Sequence, residues 1–106
     1  MPRSLHPDYY PLNLRIGAGL MARIMRAVEA GDYYRRAWIA ETIADAIRKG
    51  LKAGLTVQDL RDISNGKKLT QIEIETDLLE KAKKKAASDG FDLTTWISIA
   101  CAQRAK

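Results

Sequence analysis

A gapless shift of 58 residues lays Leu12-Asn13-Leu14-Arg15-Ile16 on Thr70-Gln71-Ile72-Glu73-Ile74 and brings Trp38-Ile39 onto Trp96-Ile97. The same shift sets Leu20 on Leu78, Tyr33 on Phe91 and Ala44 on Ala102, so few identities survive while the order of polar and apolar positions does. Self-similarity at a fixed period narrows the available folds, because each unit must bury a face that it cannot cover alone. A chain of 106 residues holds two such units, each too small to be stable separately. It leaves no room for a large catalytic cleft between lobes.

Both units carry the same change of period. Leu12, Leu14 and Ile16 alternate with Asn13 and Arg15, the period of two expected for a strand with one buried face. Leu20, Met21, Ile24, Met25 and Val28 then recur at spacings of three and four, which predicts a helix ending near Gly31. A second helix follows with Trp38, Ile39, Ile43, Ile47 and Leu51 inward and Gly50 and Gly54 near its end. In the second unit Ile72 and Ile74 alternate with Gln71, Glu73 and Glu75. Thr76 with Asp77 opens a helix carrying Leu78, Leu79, Ala82 and Ala86, and Gly90 stops it. Asp92 or Thr94 begins a last helix with Trp96, Ile97, Ala100 and Cys101. Between the units, Val57, Leu60 and Ile63 predict a short helix, broken by Ser64-Asn65-Gly66, and Lys67-Lys68 lead into the second strand.

A strand followed by two helices has no partner for its backbone N–H and C=O groups, which are costly to leave unpaired away from water. Two copies solve this by laying their strands antiparallel as a ribbon over four helices. The expected fold is therefore mainly α with a short two-stranded antiparallel β-ribbon, two strand-helix-helix repeats forming a pseudo-twofold unit. The expected divisions are a flexible arm over residues 1–10, a first repeat over 11–55, a linker with a short helix over 56–68, and a second repeat over 69–106.

Charge narrows the partners. Eighteen basic against thirteen acidic residues give a net charge of +5, with four of the surplus in residues 1–55 and one in residues 56–106. A basic balance suits a polyanionic partner. The longest charge-free run, Leu93 to Gln103, is 11 residues, short of the ~18 that a membrane span requires. Met1 to Pro11 has no apolar core of the kind a signal peptide carries, so a cytoplasmic location is expected. One cysteine, Cys101, cannot form an internal disulfide, and with His6 as the sole histidine no zinc site is expected.

The strand Leu12-Asn13-Leu14-Arg15-Ile16 followed by two helices resembles the ribbon-helix-helix DNA-binding proteins, the Arc and MetJ repressor superfamily. Two copies on one chain are similar to the tandem arrangement of TraY-type relaxosome proteins of conjugative plasmids, over about residues 11–106. The resemblance implies a ribbon in the major groove of double-stranded DNA. Carried over by position, the groove-reading side chains are Asn13 and Arg15 in the first strand and Gln71 and Glu73 in the second. The phosphate clamp, formed by backbone N–H groups opening each second helix, falls on Tyr34, Arg35 and Arg36 and on Asp92, Leu93 and Thr94. The implied role is sequence-specific DNA binding, as a repressor or as a relaxosome accessory protein, with self-association on adjacent sites and a relaxase as a protein partner.

The chemistry fits the first strand better than the second. Arg suits guanine O6 and N7, and Asn and Gln suit adenine N6 and N7. Glu73 stands where Arg15 stands in the first repeat, and a carboxylate approaches a polyanion at electrostatic cost. Three arrangements accommodate it: Glu73 reads cytosine N4, it pairs with Arg15 across the ribbon, or that half does not read bases. Each makes the ribbon asymmetric and predicts a non-palindromic subsite. Arg35 and Arg36 oppose the dipole of the helix they open, which a phosphate between them would relieve.

Other readings weigh against these. Asn13 and Arg15 also suit the solvated face of a plain hairpin, and the 58-residue repeat is what favours DNA contact. Lys81, Lys83, Lys84 and Lys85 read as a solvated helix face, Trp38 and Trp96 as core, and Cys101 as a small core residue. Arg3, on the arm, is at most a phosphate contact, and His6 is assigned no role. No nucleophile-histidine set, phosphate-binding loop or paired carboxylate is evident, so neither an enzyme nor a cofactor is expected. The competing function is a protein-interaction module, such as the antitoxin that holds a toxin. Antitoxins of the superfamily usually carry a further C-terminal segment, and this sequence stops at Lys106 after its last helix, which ranks that reading second.

Overall fold

Alternating side chains give the first strand one apolar face, and the change to helical spacing ends it at the next residue. In the computed structural model, which describes residues 9–31, 34–52 and 54–105, the elements run β1 (Tyr9–Ile16), α1 (Ala18–Gly31), α2 (Arg35–Lys49), α3 (Val57–Ser64), β2 (Lys68–Glu75), α4 (Thr76–Asp89) and α5 (Leu93–Arg104). Arg3, His6, Tyr33 and Lys106 lie outside the described residues. The molecule is mainly helical, with one two-stranded antiparallel sheet. None of the helices is long and apolar enough to cross a membrane, among the described residues.

The strands pair from Tyr9 opposite Glu75 to Ile16 opposite Lys68. The arm expected over residues 1–10 therefore loses Tyr9 and Tyr10 to β1, because they find partners in Glu75 and Ile74 and tyrosine suits a pleated surface. The linker likewise gives up Lys68 to β2. Pro11 lies inside β1, where a residue without an N–H is tolerated because both strands of a ribbon are edges.

The inner face of the ribbon is the roof of the core. Leu14, Ile16 and Ile72 are fully buried and Ile74 nearly so, against Leu20 and Ile24 of α1, Ile39 and Ile43 of α2, and Ile97 of α5. Burying one such aliphatic side chain is worth about 1.5–3 kcal/mol over leaving it exposed, so this face fastens the strands to the helices. Trp38 and Trp96 are both core, and the Trp96 Nε1 donates to Asp89 Oδ2 at 2.8 Å. Cys101 is buried, and burial pushes its thiol up to about 12. Two inner-row positions of β2 are polar, the exposed Lys68 and the buried Thr70, whose hydroxyl has no hydrogen-bond partner among the described residues.

Helix boundaries follow local chemistry. Thr56 and Asp59 form a reciprocal capping box at the start of α3. Gly90 ends α4 with φ 84°, a left-handed conformation that other residues enter at a cost. Gly31 is the last residue of α1 rather than a cap beyond it. Leu51 lies past the end of α2, partly buried against the core.

Two pairs of helix starts keep a fixed interval. Ala18 and Thr76 open helices of 14 residues each and lie 58 positions apart, as do Arg35 and Leu93 at the starts of α2 and α5.

The short helix α3 buries a face that its apolar spacing does not indicate. Asp59 and Ile63 are buried, whereas Val57 and Leu60 are 67% and 50% exposed. The reason is Arg23. Its Nη1 donates to Asp59 Oδ1 at 2.9 Å and to Asp62 Oδ2 at 3.2 Å. Its Nε and Nη2 donate to the carbonyls of Ala105 and Ala102. One side chain on α1 thus ties α3 to the C-terminal end of α5, satisfying carbonyls that have no partner within the helix. Gly17 allows the close approach that this requires, since a Cβ there would stand 1.8 Å from the Asp62 carbonyl oxygen.

Candidate nucleic-acid interface

The register decides what the outer face of the ribbon presents. Residues directly opposite in an antiparallel pair project to the same side, so the rows are Arg15 with Leu69, Asn13 with Gln71, Pro11 with Glu73, and Tyr9 with Glu75. Asn13, Arg15, Leu69, Gln71, Glu73 and Glu75 are all exposed. The four residues expected to read bases therefore lie on one exposed strip. Asn13 and Gln71 form its centre, and the Gln71 Nε2 donates to Asn13 Oδ1 at 3.2 Å. This is the one rung at which a residue faces the position 58 places further along the chain.

Arg15 and Glu73 do not pair across the ribbon. They stand on opposite sides of the central rung, and Glu73 instead accepts from Arg36 Nη1 at 3.3 Å. That expectation is overturned by the register, which sets Pro11 opposite Glu73 and Leu69 opposite Arg15. The strip is consequently polarised. One end holds Arg15, with Lys67 and Lys68 exposed at the start of β2; the other holds Glu73 and Glu75, with Arg36 of α2 drawn onto the carboxylate.

Two helix N-termini flank the strip and differ in chemistry. At α2 the N-cap Tyr34 makes no side-chain capping bond, and the first turn has no acidic residue. Tyr34 is 83% exposed, and Arg35 and Arg36 are exposed beside it. The helix dipole and the arginine charges there favour an anion. At α5 the N-cap Asp92 accepts from the Thr95 N–H at 2.8 Å, with Leu93 and Thr94 half-buried behind it. Hydrogen bonds from Thr95 hold the Asp92 carboxyl below the usual carboxylate range, with Lys67 adding a smaller effect in the same direction. So α5 already has its own anion. The sequence located both helix starts without distinguishing an uncapped end from one closed by its own carboxylate.

Sequence reasoning also passed over Leu69. The signal was present: it is the leucine that occupies an outward position in β2, between Lys68 and Thr70, and the register leaves it 66% exposed. The Arg23–Asp59–Asp62 cluster was missed as well, although Asp59 and Asp62 are three apart and so share a face of α3. No family model matches the chain, and no curated protein or solved structure matches it.

Proposed function

We propose that this chain is a tandem ribbon-helix-helix protein that binds specific double-stranded DNA by inserting β1 and β2 into the major groove. The observation that carries the reading is the central rung: Asn13 faces Gln71 on an exposed strip, 58 residues apart, at the same interval that separates the paired helix starts. That coincidence is what two ribbon-helix-helix units about a pseudo-twofold axis require. A two-stranded ribbon fits the major groove, and carboxamides and a guanidinium are the groups that read adenine and guanine there. The open N-terminus of α2, through Tyr34, Arg35 and Arg36, holds a flanking phosphate. The biological role is that of a repressor or of an accessory protein in conjugative transfer.

The test is a duplex selected from a randomised pool, with affinity measured for the wild type and Arg15→Ala. The reading requires Arg15→Ala to lose affinity and preference at one base pair by about 1–3 kcal/mol. Equal affinity and equal preference in the two proteins would remove the proposed reading head. Affinity should also fall steeply with salt, as phosphate contacts release counterions.

A second reading has one observation in its favour. Val57 and Leu60 present an apolar face on α3, and Glu73 and Glu75 an acidic end of the ribbon, which suit a protein partner such as a toxin. Co-purification from the native host with and without nuclease separates the two, since a protein partner that survives nuclease favours this alternative.

A further inference from the structure

Leu69 departs from the alternation that β2 keeps from Gln71 to Glu75. An antiparallel sheet with one solvated face alternates apolar-in and polar-out, and along β2 the other outward positions are Gln71, Glu73 and Glu75. Leu69 is outward and 66% exposed, and folding gains little from it. It also stands at a defined place, directly opposite Arg15, at the basic end of the strip beside Lys67 and Lys68.

We propose that Leu69 is a specificity-determining residue of the ribbon, making apolar contact with the 5-methyl group of a thymine next to the base that Arg15 reads. The inference rests on the reading of the ribbon as a DNA reader and deepens it. Opposed side chains in an antiparallel pair lie ~5 Å apart at Cβ. Successive bases along a strand are spaced ~3.4 Å, so Arg15 and Leu69 reach the same or adjacent base pairs. Thymine alone among the four bases offers an apolar group in the major groove. A leucine brought there removes apolar surface from water on both sides, whereas against a cytosine or a purine edge it would cover polar groups without pairing them. The opposite end of the strip has Glu73 and Glu75 in the corresponding rows. The site is therefore directional, with its guanine and thymine preferences at the end held by Arg15.

The experiment uses the full chain and a duplex selected from a randomised pool. Each thymine is replaced in turn by deoxyuridine, which deletes the methyl group and leaves base pairing intact, and affinity is measured for wild type and Leu69→Ala. The expected result is one position at which the wild type loses on the order of fourfold, the worth of a methyl group taken from water, and at which Leu69→Ala loses nothing. A wild type indifferent to every replacement, or a Leu69→Ala protein as sensitive as the wild type at the same position, overturns the proposal. Failure to select any duplex above non-specific binding overturns the DNA reading beneath it, and this inference with it. Circular dichroism of Leu69→Ala should match the wild type, and a change in oligomeric state on substitution would assign Leu69 to a protein contact instead.

Discussion

Asn13 and Gln71 hold each other across the ribbon, carboxamide to carboxamide, at the only rung where a residue meets its counterpart 58 places on. To read adenine, each amide must present both its oxygen and its nitrogen to one base edge, so on the proposed reading DNA binding would exchange this mutual bond for contacts with bases. Asn13→Ala and Gln71→Ala should each weaken binding to the preferred duplex by about 1–3 kcal/mol. Because either single variant already escapes the cost of breaking that bond, the double variant should lose more than the two single losses combined. Anisotropy titrations on the preferred duplex and on a random one of equal length check this: equal losses on both mean that neither amide reads a base.

Glu73 occupies Arg36, a cation in the first turn of α2, which on the proposed reading would otherwise meet a phosphate. Both side chains are well exposed, so the pair contributes no more than about 1 kcal/mol to stability. Glu73→Gln should therefore lower the melting temperature by no more than about 4 °C. It should bind any duplex several-fold more tightly at low salt, with the slope of log affinity against log salt steeper by roughly 0.9 as Arg36 gains a phosphate. A selective loss on sites carrying cytosine at that rung would instead give Glu73 a base-reading role.

Much of this arrangement was legible in the sequence because two periods and one interval carry most of the information. Leu14, Ile16, Ile72 and Ile74 announce a buried ribbon face by alternation, and Trp38 and Trp96 fix the offset between helices. What was not legible depends on register or on tertiary pairing. Whether Glu73 meets Arg15 or Arg36 turns on which residues oppose one another, and composition does not set that. The face of α3 was misleading for a related reason. Val57, Leu60 and Ile63 give an apolar spacing of three, yet a guanidinium from α1 draws in Asp59 and turns Val57 and Leu60 to solvent.

Asp59 should set the acid limit of the fold. The Thr56 backbone N–H holds its carboxyl below the usual carboxylate range, against the effect of burial, and Arg23 adds to the lowering. A group whose folded pKa is depressed contributes stability that is complete above its unfolded value of 3.8 and is lost as pH falls through the lower folded value. Wild-type stability should thus fall most steeply below about pH 4. Asp59→Ala should cost about 3 kcal/mol near neutrality, since it removes the reciprocal half of the capping box and one partner of a largely buried guanidinium that keeps Asp62 and two carbonyls. Urea denaturation of both proteins at pH 3 and pH 7 checks the sign: the gap between them should narrow in acid, and a gap that widens refutes the assignment.

Thr70 offers a gain in stability. Its hydroxyl is buried on the inner face of β2 with no partner among the described residues, in line with the buried Ile72 and Ile74. An unsatisfied buried polar group costs about 1–3 kcal/mol, and valine keeps the branched shape that suits a strand. Thr70→Val should raise the melting temperature by roughly 4 °C, as expected for about 1 kcal/mol in a domain of this size. Because the side chain points away from the outer strip, DNA affinity should stay unchanged. A fall in melting temperature would mean that the hydroxyl has a partner in solution.

Asp92 makes the two flanks of the ribbon unequal, and the inequality can be altered with one atom. Asparagine caps helices about as well as aspartate, so Asp92→Asn keeps the acceptor for the Thr95 N–H while removing the charge. Its stability cost should be no more than about 1 kcal/mol, the usual worth of an anion at a helix N-terminus. If the start of α5 lies against the DNA backbone, removing that charge relieves a repulsion and frees Lys67 to meet a phosphate. Affinity for every duplex should then rise several-fold at low salt, and the rise should vanish as salt is added. The same change in Asp92→Ala should come with a loss of about 1 kcal/mol in stability from the missing cap. Unchanged affinity in Asp92→Asn would place the start of α5 away from the backbone, leaving α2 as the single helix proposed to grip phosphate.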